Sequence, residues 1–425
     1  MHRARDGVRW FEQHGSLRPS FFTKKESKMV FNEAPHKPRL HRAFIAMIIS
    51  FFSVPLTMAG INYLIDPLMA MHGPWYGQPL FYHDERYMSP GYVSQFPAST
   101  VILGTSTMQP FQKDVFPEGG RQDVINLAIS ASTLYEQRLI LNQAIQTGKV
   151  KHVIWGLEWI ASTWPLSKVT VRFGPFPHFL YDRRDRLFVD YFLNIDILAL
   201  SQELVEAAWR GKQSSNFNVN PEFTKFSSSS RPFGIFPVLK DYFCAGCLQE
   251  ATGTLGSPER MDKNNFLRNL DENLKSVLLE NPDIQFDLVI PPNSILMLVW
   301  LQDHFPDQWE NFLVMRRKLS EFSALPNVRV FDFYQDTRFL YALEEYGDLQ
   351  HFSKKIARKI VDSIATDQFR MGDGSSEDIL VERVRRFRKL CPDADLNRMH
   401  TLGEHSKIED CECLRTIQSN NQFGN

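Results

Sequence analysis

Val101-Ile102-Leu103-Gly104-Thr105-Ser106-Thr107-Met108 decides how the rest of the chain reads. Three apolar residues run into a Gly-Thr-Ser turn, the pattern of a short strand buried on both faces. An α/β sheet presents a serine hydroxyl at the C-terminal end of a strand in this way. Far downstream, Tyr346-Gly347-Asp348-Leu349-Gln350-His351-Phe352 sets an aspartate three residues before a histidine, ahead of a helix-like segment. Ser106, Asp348 and His351 stand in one of the orders a serine triad can take, since geometry and not sequence position defines a triad. Taken singly, a serine after glycine is ordinarily a turn residue, and a histidine at a helix start is ordinarily a cap. The two stretches together, each beside the right element, favour a site.

Working outward, residues 123–129 form the next strand candidate. Thr133 and Glu136 then read as a capping box for a helix that ends before Gly148. Residues 152–157, 284–290 and 328–333 are three further strands. Asp307-Gln308-Trp309-Glu310 caps a helix before the last of them, and residues 352–364 form a final amphipathic helix. The alternation predicts an α/β fold, a three-layer α/β/α sandwich with a mainly parallel sheet, over residues 100–367. Residues 160–280 interrupt it, and an insertion this long is expected to form a helical cap over the site. It carries the charged run Asp182-Arg183-Arg184-Asp185-Arg186, read first as a solvated face, and the break Ser227-Ser228-Ser229-Ser230.

The N-terminal part reads differently. Residues 1–42 hold ten Lys and Arg against four Asp and Glu, and are expected to be a disordered basic tail. Residues 43–65 contain no charged residue and are long enough to cross a bilayer core of about 30 Å, Pro55 and Gly60 being tolerated there. Charge asymmetry around this segment puts the N-terminus in the cytoplasm and the remainder outside, as a single-pass anchor. A cleaved signal peptide competes with this reading, but its small-residue site would fall inside the apolar run. Residues 66–99, rich in Pro, Gly and aromatics, are expected to be a juxtamembrane linker. The 425-residue chain has a net charge of −1, which gives no electrostatic case for nucleic acid.

The Gly-x-Ser after an early strand and the late Asp-x-x-His resemble the SGNH/GDSL hydrolase superfamily. The nearer resemblance is to its membrane-anchored branch, the DltD-like and alginate O-acetylation proteins, over roughly residues 60–365. It implies Ser106 as nucleophile, His351 as base, Asp348 as the group that orients the base, and no cofactor. It also implies a surface polysaccharide or glycolipid substrate and a membrane-bound acyltransferase partner. The family's second block, Asn-x-x-x-Ser-Gly, becomes Asn126-Leu127-Ala128-Ile129-Ser130-Ala131, with alanine in place of glycine. Its third, Gly-x-Asn, becomes Gly156-Leu157-Glu158. An ionised carboxylate cannot donate to an oxyanion. Glu158 therefore points elsewhere, is protonated, or contacts the acceptor. The oxyanion donors implied are the backbone N–H of Ser106, one near Ser130 or Ala131, and the side chain of Asn126.

Cys244-Ala245-Gly246-Cys247 is expected to form a short disulfide outside the cytoplasm. Cys391, Cys411, Cys413, His400 and His405 match no standard zinc spacing, so no metal is assigned. From Gln368 onward the chain reads as a polar, weakly ordered appendage with one amphipathic piece at 379–390. Three function classes follow: a serine esterase or O-acyltransferase acting on a surface glycan, a non-catalytic accessory protein of the same machinery, and a redox protein built on Cys244 and Cys247.

Overall fold

Five parallel strands carry the fold. In a computed structural model, residues 37–75, 77, 79–170, 174–182, 188–210, 216–218, 232–244, 260, 262–372, 377–403, 407 and 410–421 are described. The seven described strands are β1 (Phe81–Tyr82), β2 (Thr100–Leu103), β3 (Val124–Asn126), β4 (His152–Gly156), β5 (Phe217–Asn218), β6 (Gln285–Ile290) and β7 (Val328–Asp332). β1 and β5 pair antiparallel as a small separate ribbon, while the main sheet runs β3-β2-β4-β6-β7. The chain steps from β2 to one side, returns to β4 on the other, and continues outward. The strand order therefore reverses between β2 and β4, the place where open parallel sheets form their binding crevice.

The main strands fall where the continuous apolar runs put them, within a few residues at their ends. Val101, Ile102, Leu103, Val153, Trp155, Phe286, Leu288 and Val330 are completely buried, as both faces of the sheet are covered. Polar groups inside the sheet are paired. Asp287 Oδ2 lies 2.6 Å from His152 Nε2, and both Asp287 oxygens accept from Arg329 at 2.7 Å. Burial pushes the Asp287 carboxyl up, but His152 and Arg329 outweigh it and hold it below the ordinary value.

Thr133 and Glu136 form the expected capping box on the helix Leu134–Gln146. The later helix, Pro306–Phe322, departs from expectation. Asp307 lies inside its first turn, no side chain caps it, and proline supplies the first helical position, where its missing N–H costs nothing. The final core helix runs Lys354–Ala365 from a Ser353 cap.

Two further expectations are corrected. The stretch 66–99 is not merely a linker, since it contains β1 and the helix Glu85–Gln95, capped by Asp84, with Glu85 and Arg86 buried. Asp66 anchors its start, accepting from the N–H groups of Ala70, Met71 and His72 and from the Tyr191 hydroxyl. The C-terminal segment is not a loose appendage either. It forms the helices Glu377–Leu390, Asp393–Thr401 and Glu412–Asn421, and buries Leu380, Val384, Phe387, Leu396, Met399 and Leu414. A Cys391–Cys413 disulfide closes it, Cys411 stays a buried thiol, and the Tyr242 hydroxyl reaches Asp393 at 2.9 Å.

The chain divides into two units, Met1–Val54 and Pro55–Asn425. The helix Lys37–Ile65 contains a segment, His41–Ile65, long and apolar enough to cross a membrane. Within the larger unit, Asn62 at the end of this helix donates to the carbonyls of Phe192 and Asn194. The basic tail before residue 37, the run Arg183–Arg186, the serines 227–230, Cys247 and His405 lie outside the described residues. Cys244 is disulfide-bonded. The insertion expected at 160–280 includes the described helices Ile195–Arg210, Ile235–Phe243 and Lys263–Leu270.

Candidate active site

β2 stops at Leu103 because Gly104 turns away with φ of +143°, a conformation that side chains with a Cβ rarely adopt. A Cβ at that position would also lie 2.4 Å from Met108 Cγ and 2.9 Å from the Gly156 carbonyl oxygen. Residues 106–108 then wind into a single 3₁₀ turn, with Met108 N–H donating to the Thr105 carbonyl at 3.0 Å. Ser106 is thereby presented just past the sheet edge.

His351 arrives on a short closed loop. Tyr346 and Phe352 bridge across its neck, and the Gly347 N–H donates to the His351 carbonyl at 2.9 Å. Inside the loop, Asp348 Oδ1 accepts from the N–H groups of Gln350 and His351 at 2.8 and 2.7 Å. Ser294, at the exit of β6, pins the loop to the sheet: its N–H and its hydroxyl both donate to the Leu349 carbonyl. The carbonyl of Pro292 takes the Tyr346 hydroxyl.

The three predicted residues meet. Ser106 Oγ lies 2.7 Å from His351 Nε2, and His351 Nδ1 lies 2.6 Å from Asp348 Oδ2. With Asp348 accepting from Nδ1–H, the lone pair of Nε2 faces the serine hydroxyl. Burial pushes the Asp348 carboxyl up. His351 and the two backbone donors outweigh burial and hold it well below the usual carboxylate range. The aspartate therefore stays ionised and fixes the tautomer of the ring.

The oxyanion expectations divide. The N–H groups of Ser106, Ser130 and Ala131 donate to no group among the described residues. Ala131 has φ of +50°, the left-handed conformation that the glycine of the resembling block would adopt without strain. Asn126 is corrected. Its Nδ2 donates to the carbonyls of Met108 and Phe111 at 2.9 and 3.0 Å, and its Oδ1 accepts from Ala128 N–H. Both amide hydrogens are spent on the turn after Ser106, so the side chain supports the site and does not face it.

Glu158 is 7% exposed, and the hydroxyls of Thr105 and Thr107, the two neighbours of Ser106, both donate to its Oε1.

Sequence reasoning missed the groups that hold the Ser130–Ala131 loop. The Ser130 hydroxyl donates to Glu85 at 3.0 Å and accepts from Gln109 at 2.9 Å, while its carbonyl accepts from Arg86 at 2.9 Å. Arg86 also pairs with Glu136 at 3.0 Å, both of them buried. Burial pushes the Glu136 carboxyl up, with Arg86 working against it. The available signal was Asp84, a helix-capping residue immediately before Glu85 and Arg86.

Comparison with known proteins gives no family model, no curated protein and no solved structure that matches this chain.

Proposed function

We propose that the protein is an extracytoplasmic serine-dependent esterase or O-acyltransferase acting on a cell-surface polysaccharide or glycolipid. The observation that carries this reading is the continuous chain Ser106 Oγ, His351 Nε2, His351 Nδ1, Asp348 Oδ2, with links of 2.7 and 2.6 Å. In such an arrangement His351 takes the Ser106 proton as Oγ attacks an ester carbonyl. The tetrahedral intermediate expels the alcohol, which leaves with the proton held by His351, and the acyl group stays on Ser106. Water or a sugar hydroxyl then attacks the acyl-serine, giving its own proton to His351, and Ser106 is regenerated.

The strand order and the position of Ser106 at its reversal fit an SGNH-type three-layer sandwich, as the resemblance to DltD-like and alginate O-acetylation proteins implies. The apolar helix, with its basic leading segment, supports an anchor that places the catalytic domain outside the cytoplasm, beside a membrane-bound acyl donor. The test uses the full-length chain in detergent. A fluorophosphonate probe should label Ser106, and Ser106→Ala should abolish both labelling and p-nitrophenyl acetate turnover. Mass spectrometry of surface-glycan fractions with and without the protein should then reveal the acylated polymer. An unlabelled, fully folded chain would remove the enzyme reading.

A further inference from the structure

The last turns of the apolar helix, from Pro55 to Ile65, belong to the larger unit. Asn62 is completely buried there, and Asp66 is the first charged residue after the charge-free run. Two carbonyls left over at this helix end are met by ring nitrogens. The Tyr63 carbonyl lies 2.7 Å from His72 Nε2, and Trp75 Nε1 donates to the Leu64 carbonyl at 2.5 Å. The Trp75 ring is otherwise largely exposed. A tryptophan with its N–H bonded and its ring uncovered suits the boundary between lipid and water.

The helix Ile195–Arg210 crosses this end. Asn62 Nδ2 donates to the carbonyls of Phe192 and Asn194 at 3.0 and 3.1 Å, and the Ser201 hydroxyl lies 3.2 Å from Asn62 Oδ1. Ile65, one turn further along, packs against the cluster of Leu80, Leu204, Ala207 and Phe217. Positions 194 to 204 take up about 15 Å of helix axis, while Asn62 and Ile65 are about 4.5 Å apart along theirs. The two axes therefore cross. A helix laid across the exit of a membrane span runs along the bilayer surface, since spans are tilted only modestly from the normal.

Three stripes separate around the crossing helix. Ile197, Ser201, Leu204 and Ala207 are buried. Ile195, Leu198, Gln202, Val205 and Trp209, spaced by three and four residues, form a second stripe. In it Ile195, Val205 and Trp209 are 72, 45 and 89% exposed. Ser201 is three residues from Leu198 and four from Val205, so the stripe borders the contact with Asn62. Asp196, Glu203, Glu206 and Arg210 fall on the side away from that contact.

We propose that the stripe of Ile195, Val205 and Trp209 is seated in the lipid–water interface of the membrane that the apolar helix crosses, with Trp75 beside it. The inference rests on the membrane-anchor reading above. Its occupant is the phospholipid surface itself. The stripe holds no charged residue, so neutral headgroups suffice and burial of apolar area drives the contact. A single span leaves a domain free to swivel above the bilayer. This second contact fixes which side of the domain meets the membrane.

The experiment uses the full-length chain in phosphatidylcholine nanodiscs, with bimane on one introduced cysteine at a time. Cys411 is buried, which keeps it from the label in the folded chain. W209C and V205C report the stripe, D196C the opposite side, and F52C the span. Lipid carrying a nitroxide high on its acyl chain should lower emission at W209C and V205C about twofold or more. D196C should respond to aqueous iodide instead, and F52C to lipid carrying the nitroxide deep in the chain. If F52C is quenched by lipid while W209C and V205C are quenched only by iodide, the stripe lies in water and the proposal is overturned with the anchor intact. If neither quencher reaches W209C and V205C, a second copy of the chain covers the stripe and the lipid seat is equally overturned. Lipid quenching of D196C as strong as that of W209C overturns the one-sided seat. An F52C that lipid does not quench removes the anchor, and the seat with it.

Discussion

Asp348 meets His351 twice, once through the ring at 2.6 Å and once through the backbone N–H at 2.7 Å. The same carboxylate thus builds the loop and orients the imidazole. Asp348→Asn should lower kcat by about ten-thousandfold if the ring loses its tautomer as in the serine-protease template. The stability consequence has a definite sign. A carboxyl whose folded-state pKa is depressed contributes stability that is complete above its unfolded value of about 3.9 and is lost as pH falls through the folded value. Thermal midpoints of wild type should therefore drop more steeply than those of D348N when pH is lowered below about 4.

Asn126 separates support from catalysis. Its side chain makes three hydrogen bonds to backbone around the Ser106 turn. At about 1 kcal/mol each, Asn126→Ala should cost roughly 3 kcal/mol in urea denaturation. Turnover of the still-folded variant should fall less than tenfold. A thousandfold loss with unchanged stability would restore the side chain to the oxyanion hole.

Ala131 is held in a left-handed conformation. That conformation costs an alanine about 1–2 kcal/mol, while glycine gives back about 0.4–1 kcal/mol through its freer unfolded chain. Ala131→Gly should therefore raise stability by about 0.5–1 kcal/mol, read as a higher urea midpoint. A destabilised A131G chain would contradict the strain.

Much of this was written in the sequence, and the exceptions have physical causes. Strands buried on both faces leave continuous apolar runs, so β2, β4, β6 and β7 were visible. The Thr133–Glu136 box marked its helix by chemistry that is entirely local. The helix Glu85–Gln95 was hidden because its interior holds Pro90 and Gly91, and its buried face carries Glu85 and Arg86. Gly91 is there for contact: a Cβ would lie 1.8 Å from the Leu68 carbonyl oxygen. The C-terminal helices were masked by their charge, although Leu380, Val384, Phe387 and Cys391 recur at helical spacing. Side-chain direction was the least legible quantity. Nothing in the string 126–131 tells that the Asn126 amide turns back onto the chain.

The Cys391–Cys413 disulfide offers a check on compartment. It closes a separation of 22 residues, so removing it with Cys391→Ser and Cys413→Ser together should cost about 3 kcal/mol. Thiol alkylation before and after reduction should show the bond in protein taken from cells. A fully reduced pair in native membranes would argue against export.

The hydroxyl and its base are 245 residues apart in the chain. During synthesis Ser106 therefore emerges long before Asp348 and His351. A nascent or truncated chain ending ahead of Gly347 has the serine but neither the imidazole nor the aspartate. Under the proposed serine chemistry such a chain is silent, whatever part of the sheet has already formed: a site completed only by the loop after β7 forms no acyl-serine before that loop is made.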